Sequence, residues 1–262
     1  ISSQALKGRF RDYTVNQEIS PKGKIMKASK IKKILLGIIL SDGSINGKNR
    51  PTKRFALYSK DKEYAEYVFN VLSNLTHTTP VLRERRKGKY VGYEVYTNST
   101  RYWQTAYERF YPNNGRKALT HYSVDRLDEE ALAHIWMCDG YLEHSKNRKL
   151  GKVQNIGWFC LEAFPKEELE VLQKHLQDKF NVGSSLVKKP WGFGYRIRIG
   201  GENLQRFISL VYPYILDCFK YKTVLFYKQK STALDLPSAE HFIVEYSEVD
   251  DIVRHPSKQG KT

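Results

Sequence analysis

Two apolar runs, each broken off by an aspartate and a glycine, constrain this chain more than anything else in it. Leu35-Leu36-Gly37-Ile38-Ile39-Leu40-Ser41-Asp42-Gly43 is the first, and Leu132-Ala133-His134-Ile135-Trp136-Met137-Cys138-Asp139-Gly140 is the second. Both fall short of the ~18 consecutive apolar residues of a membrane-spanning helix. Ile31, Ile34, Leu35, Ile38 and Ile39 recur at helical spacing, which predicts a helix from Ser29, as its cap, to Ser41. The second helix begins after Asp128, a capping residue followed by Glu129 and Glu130, and runs to Cys138. The two Asp-Gly pairs stand a domain's length apart, so an internal duplication is expected.

The segments between them repeat in order. After the first helix come a turn over Gly43–Pro51, a strand Arg54–Ser59, a helix Asp61–Leu75, a hairpin of Val81–Lys87 and Lys89–Asn98, and a helix Thr100–Tyr111. After the second come a turn near Glu143–Gly151, an extended run Val153–Leu161, a helix Pro165–Phe180, a hairpin of Leu186–Lys189 and Gly194–Gly200, and a helix Asn203–Tyr212. Val91, Tyr93 and Val95 alternate with Gly92, Glu94 and Tyr96, as in a sheet with one dry and one wet face. The expectation is an α+β fold of two αββαββα units. The boundaries are a basic arm over 1–28, repeats over 29–127 and 128–235, and an acidic segment with tail over 236–262.

A formal net charge of +16 calls for a polyanionic partner, and eighteen tyrosines suit a polar binding surface. The segment Leu236–Asp251 carries five acids without a Lys or Arg and is expected away from that surface. Cys138, Cys160 and Cys218 lack the paired spacing of a zinc site, which makes a reduced intracellular protein the default. The chain opens on Ile1 rather than Met, so a further N-terminal or fusion segment is expected ahead of it.

Small residues at Gly37 and Ser41 share one helix face and would let a second helix approach closely, with His134 and Cys138 at the corresponding places of the second. Packing the two helices would bring Asp42 and Asp139 together. Paired carboxylates need a cation between them, and Mg²⁺, with Mn²⁺ as a substitute, is the hard ion completed by water and phosphate oxygens. Taken singly, either Asp-Gly is an ordinary helix-ending turn.

The two nonapeptides, the repeated element order and the length resemble the single-chain, two-repeat LAGLIDADG homing endonucleases over about Lys30–Leu225. That resemblance implies that Asp42 and Asp139 bind the catalytic metals. It implies that Lys117 and Lys222 serve as basic catalytic residues, and that the motif helices pack through Gly37, Ser41, His134 and Cys138. His134 stands where the motif has glycine, so the second helix is expected farther out or tilted. The antiparallel sheets are expected to form a saddle over the major groove, reading bases with Arg54, Tyr58, Glu94, Tyr96, Arg196 and Arg198. Lys48, Arg50, Lys152, Lys188 and Lys189 are expected on phosphates. Arg83, Arg85 and Lys87 line one side of their strand, Glu84 and Arg86 the other. The implied activity is site-specific cleavage of double-stranded DNA by a monomer, one bond per strand across the minor groove, with short 3′ overhangs. The main rival on the same fold is a maturase that binds intron RNA, and a second is a DNA-binding regulator descended from the fold.

Overall fold

A computed structural model describes residues 26–46, 53–76, 78–112, 115–147, 152–190, 192–226 and 243–244. The described residues form two compact units, one holding 26–32 together with those of 42–109, the other Lys33–Ser41 and the described residues from Phe110 onward. The chain runs α1 (Ala28–Leu40), β1 (Ser44–Asn46), β2 (Arg54–Ser59), α2 (Lys62–Ser73), β3 (Pro80–Lys87), β4 (Tyr90–Thr97) and α3 (Arg101–Phe110). A short helix α4 (His121–Val124) leads to α5 (Glu129–Asp139), β5 (Gly140–Asn147), β6 (Lys152–Phe159), α6 (Lys166–Phe180), β7 (Ser185–Lys188), β8 (Tyr195–Gly200) and α7 (Gly201–Val211). The α+β fold is the expected one. Among the described residues no helix is long and apolar enough to cross a membrane.

The first unit carries an antiparallel sheet in the order β1-β2-β4-β3. Phe55, Leu57 and Val95 face inward under the apolar stripe of α2, made by Tyr64, Ala65, Val68, Val71 and Leu72. Asp61 fixes where α2 begins by accepting the Tyr64 amide. Trp103 of α3 stacks on Phe55 with ring centroids 5.3 Å apart.

The second unit repeats the design with sheet order β5-β6-β8-β7. Ile197 and Ile199 of β8 and Phe159 of β6 are buried with Leu169, Leu172 and Leu176 of α6 and Leu204, Phe207 and Ile208 of α7. Trp136 meets Phe159 and Phe207 edge-on at 5.4 and 5.2 Å, which ties α5 to that core. A final pair, β9 (Leu225–Phe226) and β10 (Ile243–Val244), is parallel.

Both motif helices are buried on all sides over their apolar runs, Ile34–Leu40 in α1 and Ala131–Met137 in α5. Helices apolar all round are core helices rather than surface ones. Asp128 caps α5 and joins it to α1: one oxygen accepts the Ala131 amide at 3.0 Å and the other pairs with Lys33 at 2.8 Å. At Gly37 the helix lies so close to α5 that a Cβ would stand 2.2 Å from the Ala131 carbonyl oxygen. The close approach at Gly37 thus persists although His134 stands where the motif has glycine.

His134 is 1% exposed, and burial pushes its imidazole down from 6.5 to about 3. The unfolded chain protonates this histidine near 6.5 while the folded chain resists until about 3. Stability present at neutral pH should therefore fall as acid is added across that window. Burial lowers His144 and His175 as well, and both add to the trend. Melting curves between pH 7 and pH 4 check this, and His134→Leu should flatten the slope.

Three local expectations are corrected. Ser29 lies within α1, which starts one residue earlier, and does not cap it. The turn read near Glu143–Gly151 is strand through Asn147: the β5 register sets His144 opposite Asn155, with their side chains 2.8 Å apart, and a polar residue two positions after buried Leu142 hides the alternation. Val91 is 40% exposed instead of dry, since the β3–β4 hairpin runs on past its helical cover.

Candidate active site

Each motif helix must end with carbonyls that no further turn can satisfy, and its dipole makes that end negative. The same solution is used twice. Lys117 donates from Nζ to the Ser41 carbonyl at 2.6 Å, and Lys222 donates from Nζ to the Met137 carbonyl at 2.6 Å. Each ammonium thus lies on the helix end that carries the motif aspartate. The second is set one position earlier in the motif, as Met137 corresponds to Leu40.

Both lysines are held from behind. Lys222 also offers its own carbonyl to the Trp136 indole N–H at 3.1 Å, so it grips the last turn of α5 at two points. Lys117 sits in the connector between α3 and α4, where Ala118 N–H bonds the Phe110 carbonyl at 2.9 Å. Glu168 of α6 clamps that connector, accepting the Leu119 amide at 2.8 Å with one oxygen and pairing with Arg116 through the other.

The glycine after the second aspartate has a steric reason. At Gly140 the chain leaves α5 directly into β5, and a Cβ there would fall 2.3 Å from the Trp136 carbonyl oxygen. Asp139 is half-buried, and its carbonyl accepts the Cys160 amide at 2.8 Å. Its pocket, about 300 Å³, is lined by Leu40, Ser41, Arg116, Lys117, Cys160 and Phe164 among others. Asp42, which follows Ser41, is exposed. Ser41 itself is buried, its hydroxyl donating to the Gly37 carbonyl at 2.8 Å. Cys138 is half-buried.

The strand register gathers the first unit's expected base-reading residues on one face. Tyr58 stands opposite Glu94 and Ala56 opposite Tyr96, while Arg83 pairs with Glu94 and Arg85 with Gly92. Arg54 and Arg83 both lie over the Tyr96 ring, at 5.2 and 4.9 Å. Arg85 bonds the Glu94 carboxylate at 2.5 Å, and the Tyr58 phenol crosses Gly92 where a side chain would otherwise be.

In the second unit Arg196 and Arg198 share a face, and Lys188, opposite Tyr195, lies on the other parity. Arg196 is engaged by Glu162, to which Lys189 also comes within 3.6 Å; its partners hold Glu162 below the usual carboxylate range against the opposing pull of burial. Lys87 and Lys152 are placed by backbone pairing, opposite Tyr90 and Asn147. Lys48 and Arg50 lie outside the described residues. Sequence reading missed the outer face of β5 and β6, where Trp158 donates to Glu143 at 2.7 Å beside exposed Tyr141. Only the alternation of Tyr141, Glu143 and Ser145 signalled it.

An internally duplicated α+β chain, with two like-ordered sheets and two buried helices each ending in an aspartate beside a lysine-capped carbonyl, defines a small class of proteins. The model of the LAGLIDADG DNA endonuclease family matches residues 32–207, and the chain belongs to that family. A probable intron-encoded endonuclease of Wickerhamomyces canadensis is 30% identical over 202 residues, covering 72% of this chain and 81% of that protein. DNA endonuclease I-ChuI of Chlamydomonas applanata is 26% identical, over 73% of this chain and 93% of its own. Among solved structures, the homing endonuclease I-WcaI bound to its DNA recognition sequence is similar at a TM-score of 0.62 with 25% identity, covering 74% of this chain and 86% of that one.

Proposed function

We propose that this chain is a site-specific homing endonuclease that recognises a long asymmetric duplex and hydrolyses one phosphodiester in each strand, leaving short 3′ overhangs. The observation that carries the reading is the twofold recurrence of an aspartate on a helix end whose neighbouring carbonyl is held by a lysine. Membership of a DNA endonuclease family and a net charge of +16 support the same substrate. In this reading the repeats span 29–127 and 128–235, and one chain supplies both centres as a monomer.

The donor set suits a divalent cation. Among the described residues no group of three or more His, Cys, Asp and Glu side chains converges as a closed metal cage. Asp42 and Asp139 would therefore contribute carboxylates singly, which fits Mg²⁺, an ion that keeps waters and takes phosphate oxygens, with Mn²⁺ as a substitute. When bound, such an ion supplies an activated water and stabilises the departing oxygen. Lys117 and Lys222, anchored on the helix ends, place positive charge where a phosphate must approach two acidic turns. Arg54, Tyr58, Arg83, Arg85, Glu94, Tyr96, Arg196 and Arg198 supply donors, acceptors and rings for base edges, with Lys188 and Lys189 for phosphates.

The test is cleavage of a randomised double-stranded library in Mg²⁺, with sequencing of the cut ends and Ca²⁺ as the binding-only control. A long asymmetric site with staggered ends is the expected result. Absence of any cut product together with tight binding of structured intron RNA would replace this reading by the maturase one.

A further inference from the structure

Phe193 is 98% exposed, the most exposed of the large apolar residues described. It stands at the tip of the β7–β8 hairpin between two glycines with left-handed backbone, Gly192 at φ +136° and Gly194 at φ +96°. The base of that tip is fixed. Lys189 N–H bonds the Gly194 carbonyl at 3.2 Å, and Gly194 lies so near the β6–α6 loop that a Cβ would stand 2.5 Å from the Glu162 carbonyl oxygen. Glu162 in turn pairs with Arg196 and lies 3.6 Å from Lys189. The loop is therefore built to hold an aromatic ring out in solvent.

A single exposed apolar side chain is ordinary on a protein surface. Here the feature occurs twice. In the first unit the β3–β4 hairpin occupies the corresponding place in the strand order, since β3 and β7 are both edge strands next to β4 and β8. Its turn is Gly88-Lys89, with Gly88 at φ +60°, and it presents Tyr90, 67% exposed, with the Lys89 ammonium 5.6 Å from the ring. The two tips differ in length and sequence yet deliver the same pair of groups, an exposed ring beside lysine. At the second tip the cations are exposed Lys188 and half-exposed Lys189.

We propose that Phe193, with Tyr90 as its counterpart, is a specificity-determining contact that packs its ring on thymine methyl groups of the duplex while the adjoining lysines hold phosphates. This rests on the endonuclease reading of the same surface. The chemistry selects the partner: lysines at each tip and the chain's positive charge favour a polyanion. Within the major groove the thymine C5-methyl is the apolar group that the face of an aromatic ring can recognise. A tip fixed at its base also enters a groove without the ordering cost of a mobile loop.

The experiment uses the full chain and the randomised duplex library, comparing wild type with Phe193→Ala and Phe193→Tyr. Because the ring touches little of the protein, the alanine variant should fold with an unchanged melting temperature. Wild type should enrich thymine at positions outside the cut centre, the alanine variant should lose that enrichment while cutting the same central sequence, and the tyrosine variant should restore it. On the selected duplex in Ca²⁺, Phe193→Ala should bind about tenfold more weakly. Replacing the contacted thymine by deoxyuridine should weaken wild type about fourfold, the value of one methyl-sized group, and leave the alanine variant unaffected. Identical flanking preference in wild type and Phe193→Ala, or equal sensitivity of both to deoxyuridine, would overturn the proposal. Failure of wild type to bind or cut any duplex would instead overturn the endonuclease reading.

Discussion

Asp139→Asn is expected to reduce double-strand cleavage on the order of 10³-fold, the loss that follows when one preorganised charge-stabilising group is removed from a reacting centre. The substitution keeps the shape of the side chain and removes its charge, so an amide oxygen replaces a hard anionic ligand. The fold should tolerate it. The hydrogen bond that ties this residue to Cys160 uses the main-chain carbonyl, which the variant retains, and Lys222 is anchored on Met137. DNA affinity in Ca²⁺ should therefore stay within a few-fold of wild type, and Asp42→Asn should behave alike at the other helix end. Cleavage assays paired with binding titrations make the check. Retained cleavage in either variant would remove that aspartate from the reaction, and lost binding would make its role one of docking.

Gly37→Ala is the second large effect, and its sign is informative. In an exposed helix this change stabilises by about 1 kcal/mol through helix propensity alone. Here the new methyl would lie 2.2 Å from the Ala131 carbonyl oxygen, a backbone atom that cannot rotate away, so the two helices must separate. Overpacking of this kind costs about 1–3 kcal/mol and sometimes more. We expect a net loss near the upper end of that range, which for a protein of this size lowers the melting temperature by about 6–12 °C. Separation would also disturb the Ser41 carbonyl that receives Lys117, so cleavage should fall further than stability alone explains. A melting temperature equal to or above wild type would show that the helices do not meet at Gly37.

The element order was legible because apolar periodicity records burial, and in both units burial is imposed by sheets covered on one side. The motif helices were the clearest case, since a run apolar on every side that stops at Asp-Gly has few other uses. What stayed hidden depended on tertiary partners. The β5 strand carries polar His144 two residues after buried Leu142, so it shows no alternation until Asn155 is found across the sheet. β1 has three residues, too few to show a period. The connector Arg116–Leu119 gave no sign that Glu168, far along the chain, would clamp it. Lys117 and Lys222 could be singled out by position in the repeat, but their shared attachment to helix-end carbonyls is a fact of three dimensions. Nor does composition distinguish an arginine bound to Glu94 or Glu162 from one pointing at solvent.

The stretch Lys33–Ser41 begins the first repeat in sequence yet packs within the unit formed by the second. Division of the gene at the repeat boundary would thus not yield two self-sufficient halves. The leading fragment would carry a helix apolar on every face with its covering surface encoded elsewhere, an invitation to aggregate. The trailing fragment would have a trench where Gly37 belongs. Chimaeras that exchange repeats between relatives face the same dependence: the inherited seam residues Gly37 and Ala131 must travel as a matched pair, whatever target sequence the exchanged sheets were chosen to read.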